Sequence, residues 1–91
     1  MIYYVTSNDI SRISEQLLEM QTYDLDNMYI SPLTTFSHLN DIEGFYLSTL
    51  RLDLLNECDK LIVASEELDE FMKQEIAFAL RTGKEVEYYS T

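Results

Sequence analysis

Leu52-Asp-Leu-Leu-Asn-Glu-Cys58-Asp59, then Lys60-Leu-Ile-Val-Ala-Ser65, then Asp69-Glu-Phe-Met-Lys-Gln-Glu75-Ile-Ala-Phe-Ala-Leu-Arg-Thr-Gly83-Lys84-Glu85-Val86 is the stretch on which the fold turns. It predicts the end of an amphipathic helix, a short buried strand over Lys60 to Ser65, and a helix that starts near Asp69 and stops at Thr82-Gly83. That last helix should turn Met72, Ile76, Ala79 and Leu80 inward. Two acids, Asp69 and Glu75, follow the carboxyl end of a strand, where open α/β sheets bind their ligands.

Working outward, Val86 and Tyr88 alternate with Glu85 and Glu87, the pattern of a strand exposed on one side. Toward the N-terminus, Ile2-Tyr3-Tyr4-Val5 is a β-branched and aromatic run suited to a buried strand. Thr6-Ser7-Asn8-Asp9 can cap a helix, and Ile10, Ile13, Leu17, Leu18 and Met20 follow at helical spacing. A second strand, Met28 to Ser31, runs into Pro32, after which Leu33 to Leu39 read as a loop over the sheet edge. Asn40-Asp-Ile-Glu43 has the spacing of a capping box. The helix after it should carry Ile42, Phe45, Tyr46, Leu50, Leu54 and Cys58 inward.

The order is β-α-β-α-β-α-β, which implies a parallel sheet with crossover helices. We expect a single α/β domain over residues 1–91: a three-layer, Rossmann-like or flavodoxin-like unit with a four-stranded parallel sheet and three helices. Its site should lie where strands end, at Thr6 to Asp9, Ser31 to Thr35, and Ser65 to Asp69.

Composition narrows the function classes. The chain has 91 residues, 46% of them apolar, enough for one small core. No apolar run approaches the roughly 18 residues of a membrane span, and Met-Ile-Tyr-Tyr-Val lacks the basic region of a signal peptide. One cysteine, Cys58, cannot form an internal disulfide, so a reducing, cytoplasmic setting is expected. Cys58 reads as a small buried hydrophobe with no histidine partners for a metal. No Gly-rich phosphate loop, metal-ligand cluster or Ser-His-Asp set is visible, and no cofactor or metal is expected.

Seventeen acids against six bases give a net charge of −11, which argues against direct nucleic-acid binding. Such a surface is either simply solvated or a nucleic-acid mimic offered to a basic host protein, as in small phage-encoded inhibitors.

Asp53-Leu54, Cys58-Asp59, Leu61-Ile62-Val63, Asp69, Glu75-Ile76-Ala77, Ala79 and Gly83-Lys84-Glu85-Val86 together resemble the nucleoside 2-deoxyribosyltransferase-like superfamily, including its small phage and bacterial members. The likeness covers residues 50–88 best; residues 1–40 match as strand, helix and strand reaching Ser31-Pro32-Leu33. The resemblance implies a nucleoside or nucleotide ligand and cleavage or transfer at the N-glycosidic bond. Glu75 would be the nucleophile that holds the sugar covalently, with retaining-glycosidase logic. Asp69 would serve the leaving base and Asp53 the sugar hydroxyls. A carboxyl buried beside a second carboxylate would have its pKa raised toward that of a proton donor.

Glu70-Phe71 stand where the family carries Gly-Thr, and Thr6-Ser7-Asn8 where it often carries a Gly-Pro turn. Phe71 favours a second class: a non-catalytic protein that keeps the fold and sequesters a nucleotide or occupies a basic host protein.

Further ligand-binding candidates are Tyr4, which could stack on a base, with Ser7, Asn8, Ser31, Pro32, His38 and Ser65 at the strand ends. Each has a plainer reading: Asp69 as a helix N-cap, Asp53 as a surface partner of Arg51, His38 as a loop bystander. The resemblance also implies a homo-oligomer, which would cover the edge strand bearing Tyr88 and Tyr89.

Overall fold

A computed structural model describes residues 1–39 and 41–89 of the chain. Its elements follow in the order β1 (Ile2–Thr6), α1 (Ile13–Tyr23), β2 (Met28–Ile30), α2 (Pro32–Thr35), α3 (Gly44–Asn56), β3 (Lys60–Val63), α4 (Glu70–Arg81) and β4 (Glu85–Tyr88). The strands form one sheet in the order β2-β1-β3-β4. Every pairing is parallel, with Tyr4 opposite both Ile30 and Leu61, and Leu61 opposite Val86. The expected four-stranded parallel α/β domain is the one found.

Strand periodicity splits the core in two. Tyr4, Leu61 and Val63 face α3 and α4, where they meet Leu55, Cys58, Met72 and Ala79. Val5, Ile62 and Ala64 face α1, meeting Ile13 and Met20. Because β1 and β3 are covered on both faces, they read as continuous apolar runs rather than alternating ones.

Among the described residues four helices are present rather than three. Ser31 Oγ accepts from the backbone N–H of Leu33, and Pro32 occupies the first turn, so the expected loop begins as the short helix α2. Proline suits that position because its missing N–H would be unpaired there anyway. α1 begins later than expected, since Asp9 Oδ1 accepts from the Ser11 N–H and hydroxyl and holds residues 9–12 in a turn. Ile10 and Leu18 stand 67% and 69% exposed, and Gln16 joins Ile13 and Met20 on the buried face.

α3 differs most. Phe45 and Tyr46 are exposed, and the buried residues are Arg51 and Leu55. Its N-cap is Glu43, with no side-chain cap hydrogen bond; the other half of the expected capping box, Asn40, lies outside the described residues.

α4 keeps its expected ends. Asp69 Oδ1 accepts from the Met72 N–H at 2.9 Å. Gly83, at φ +75°, turns the chain out of the helix. The Lys84 N–H reaches Ala79 O and the Gly83 N–H reaches Leu80 O, the paired bonds of a Schellman stop. Met72, Glu75 and Ala79 are buried, whereas Leu80 is 65% exposed. Lys84 then places Nζ on the carbonyls of Asn56 and Cys58, at 3.2 and 2.7 Å, satisfying acceptors at the end of α3. Among the described residues no helix is long and apolar enough to cross a membrane.

Candidate functional site

Glu75 sits in the second turn of α4, and the packing of Met72 and Ala79 on the sheet turns it inward. Its carboxylate is 1% exposed. Oε1 accepts from the Thr6 hydroxyl at 2.6 Å and from Arg51 Nη2 at 3.0 Å. Oε2 accepts from the Tyr4 hydroxyl and, at 3.0 Å, from Arg51 Nε. Arg51 thus grips both oxygens side-on, the strongest geometry for a guanidinium on a carboxylate. Arg51 Nη2 also donates to Thr6 Oγ1 at 3.1 Å, which closes the network.

Three elements supply it. β1 points Tyr4 and Thr6, two residues apart, to the same face; α3 contributes Arg51 and α4 contributes Glu75. Phe71, one turn before Glu75, lies under the guanidinium, with Arg51 Cζ 4.5 Å from its ring centroid. The aromatic ring that stands where the resemblance expects Gly-Thr therefore serves as a cover for the arginine.

Burial works to lower the Arg51 pKa, but the hydrogen bonds and charge of Glu75 outweigh it and hold the guanidinium above its ordinary value. Burial first, then the charge and hydrogen bond of Glu75, push the Tyr4 phenol far up. Tyr4 is thus a neutral donor at any physiological pH, and its hydroxyl is engaged with Glu75 rather than with an open space. Glu75 has a cation for a neighbour, not the second carboxylate expected from the sequence.

The other candidates are dispersed. Asp69 is exposed and caps α4. Asp53 is exposed on α3; the surface pair expected with Arg51 is not formed, because the arginine turns to Glu75. Ser31 is buried as the cap of α2, and Pro32 is buried beside it. His38 is exposed in the turn after α2. Ser7 is buried, its Oγ accepting from the Asp9 N–H at 3.0 Å. The Asn8 N–H donates to Ser65 Oγ at 3.1 Å, tying the loop after β1 to the loop after β3. Cys58 is buried, and burial raises its thiol pKa to about 11. Among the described residues no group of histidine, cysteine, aspartate and glutamate is arranged to hold a metal ion.

Two hollows flank the carboxyl edge of the sheet. One, of about 270 Å³, is lined by Ile10, Pro32, Leu33, Phe36, Leu47 and Arg51 among others, so Arg51 belongs both to its wall and to the Glu75 network. The other, of about 420 Å³, is bounded by Asn8, Asp9, Arg12, Gln16, Ser65, Glu66, Glu67 and Tyr89 and lies on the α1 side.

Sequence reasoning missed Arg51 and the joint role of Tyr4 and Thr6. A signal for Arg51 exists: it stands four residues from both Leu47 and Leu55, inside an apolar stripe of a helix with few charges. No protein-family model matches the chain, and no curated protein matches it.

Proposed function

We propose that the chain binds a nucleoside or nucleotide at the carboxyl edge of its sheet, with Glu75 as the carboxylate that attacks the anomeric carbon at the N-glycosidic bond. One observation carries this reading: a helix glutamate is drawn to the central strand and fixed there by Tyr4, Thr6 and Arg51. A nucleophilic carboxylate has to be ionised and held in one position. The apolar hollow walled by Ile10, Pro32, Leu33 and Phe36 offers a base-sized space, and Arg51 joins it to the Glu75 network.

In this reading the substrate draws Arg51 off one carboxylate oxygen. That oxygen bonds to the anomeric carbon as the carbon–nitrogen bond breaks, and the electron pair leaves with the base, which takes a proton from water. Water or a second base then releases the sugar from Glu75. Asp69 and Asp53 are both exposed, and the hydrogen bonds that hold Glu75 come instead from Tyr4, Thr6 and Arg51.

A second reading is favoured by a different observation: both oxygens of Glu75 already have two donors each. A carboxylate so fully satisfied serves as a structural tie, and the protein then acts by binding alone, sequestering a nucleotide or occupying a basic host protein.

Incubation with deoxynucleosides and free bases, followed by chromatography, separates the two. Exchanged or hydrolysed products that vanish in a folded Glu75→Gln variant support the nucleophile. Nucleotide binding without any product, or a salt-sensitive complex with a basic protein, supports the second reading. Self-association along β4, which ends the sheet and leaves Tyr88 66% exposed, belongs to the first reading. Sedimentation as a monomer at micromolar concentration removes it.

A further inference from the structure

The 420 Å³ crevice between the loops after β1 and β3 lies across the sheet from Glu75, on the face that α1 covers. Gln16, from α1, lines it and is 5% exposed. Its Nε2 donates to the carbonyl of Ala64 at 3.0 Å. A carbonyl can only accept, so this bond decides which end of the amide faces the chain. Oε1 is left on the other side with no donor among the described residues. Folded proteins provide partners for nearly all such buried acceptors, and one without a partner beside a cavity points to a missing donor.

The rim specifies that donor's charge. Asp9, Glu66 and Glu67 line the crevice against one guanidinium, Arg12, so it is net negative. The walls are joined beforehand, since the Asn8 N–H is bonded to Ser65 Oγ across the two loops. A fixed cleft costs less ordering when a ligand enters.

We propose that this crevice binds a cationic N–H donor, an alkylammonium or guanidinium group, which gives a hydrogen bond to Gln16 Oε1 and sets its charge among Asp9, Glu66 and Glu67. The inference stands apart from any role of Glu75. Such a group is found on free amines and on the lysine and arginine side chains of proteins, and the two sources are separable by probe.

The test is an NMR titration of the full ¹⁵N-labelled chain with agmatine, putrescine, Nα-acetyl-arginine N-methylamide and, as an anionic control, inorganic phosphate. Saturable shifts at the Gln16 side-chain amide and at Asn8 and Ser65 are expected with the cations and not with phosphate. Preference for agmatine or putrescine assigns a free amine; preference for the capped arginine assigns a protein side chain. Gln16→Met, which keeps the bulk and removes the acceptor along with the donor to Ala64, should weaken binding about tenfold. Glu66→Gln with Glu67→Gln alters only exposed side chains, and should weaken binding several-fold without moving the unfolding midpoint. Absence of saturable shifts at millimolar cation overturns the proposal. So does equal binding of phosphate, or binding that both variants leave unchanged, which would be general attraction to an acidic surface.

Discussion

At the scale of single residues the molecule is governed by one buried ion pair and its two hydroxyl donors. Removing one member of such a pair leaves the other charged and unpartnered, whereas replacing both with apolar residues is often tolerated. Glu75→Ala should therefore cost about 3–5 kcal/mol, and Arg51→Met combined with Glu75→Leu distinctly less. Urea unfolding of the three proteins measures this; a double variant as unstable as the single one would mean the pair itself contributes the stability. Tyr4 adds a pH dependence. Its folded-state pKa lies above the ordinary 10.0, so the folded form keeps this proton longer than the unfolded chain does. That contribution is complete below pH 10 and is lost as pH rises toward the folded value. Tyr29, raised to about 12 by burial and then by Asp24, acts in the same direction. Tyr4→Phe should lose about 1–3 kcal/mol at neutral pH, by removing one donor to Glu75, and should show a shallower alkaline decline. An identical alkaline slope in the two proteins would assign the decline to other groups.

Among the elements, α4 was the most legible in sequence. Its start is written in the Asp69 side chain and its stop in Gly83, both local signals that need no knowledge of the rest of the fold. Asp69→Ala should cost about 1 kcal/mol, while Asp69→Asn, also a good cap, should be nearly neutral. If Asp69 also serves the leaving base, the asparagine variant will lose turnover while keeping its thermal midpoint; unchanged turnover confines Asp69 to the helix. The inner face of α3 was misread for the opposite reason. Aromatic bulk at Phe45 and Tyr46 suggested burial and the charge of Arg51 suggested exposure, yet burial here was decided by Glu75 on another helix. A partner contributed by a distant segment leaves no trace in the local period. The short helix α2 falls within the stretch after Pro32 that reads as a loop, because four residues are too few to show a helical period, whereas Ser31 before the proline makes it a start.

At the scale of the whole molecule, the parallel pairing of four strands followed from alternation of apolar runs and helices, whereas their order in the sheet was not read from the sequence, and the candidate site emerged only partly. Glu75 could be seen in the sequence; the arginine and the two hydroxyls that hold it could not. The net charge of −11 acts on the entire fold, since like charges on a small body oppose its compact form. Sodium chloride raised from about 0.01 to 0.5 M shortens the reach of those charges several-fold and should raise the urea midpoint. A midpoint insensitive to salt would show that the acids are spaced too widely to matter. The sheet order has its own consequence for biosynthesis. β1 is central, and its partners begin at Met28 on one side and Lys60 on the other. A nascent chain leaving the ribosome therefore carries β1 out before either partner, with one flank unpaired until β3 has cleared the exit tunnel. In that interval the open edge of β1 is free to pair with another chain, a hazard that ends only when β3 docks.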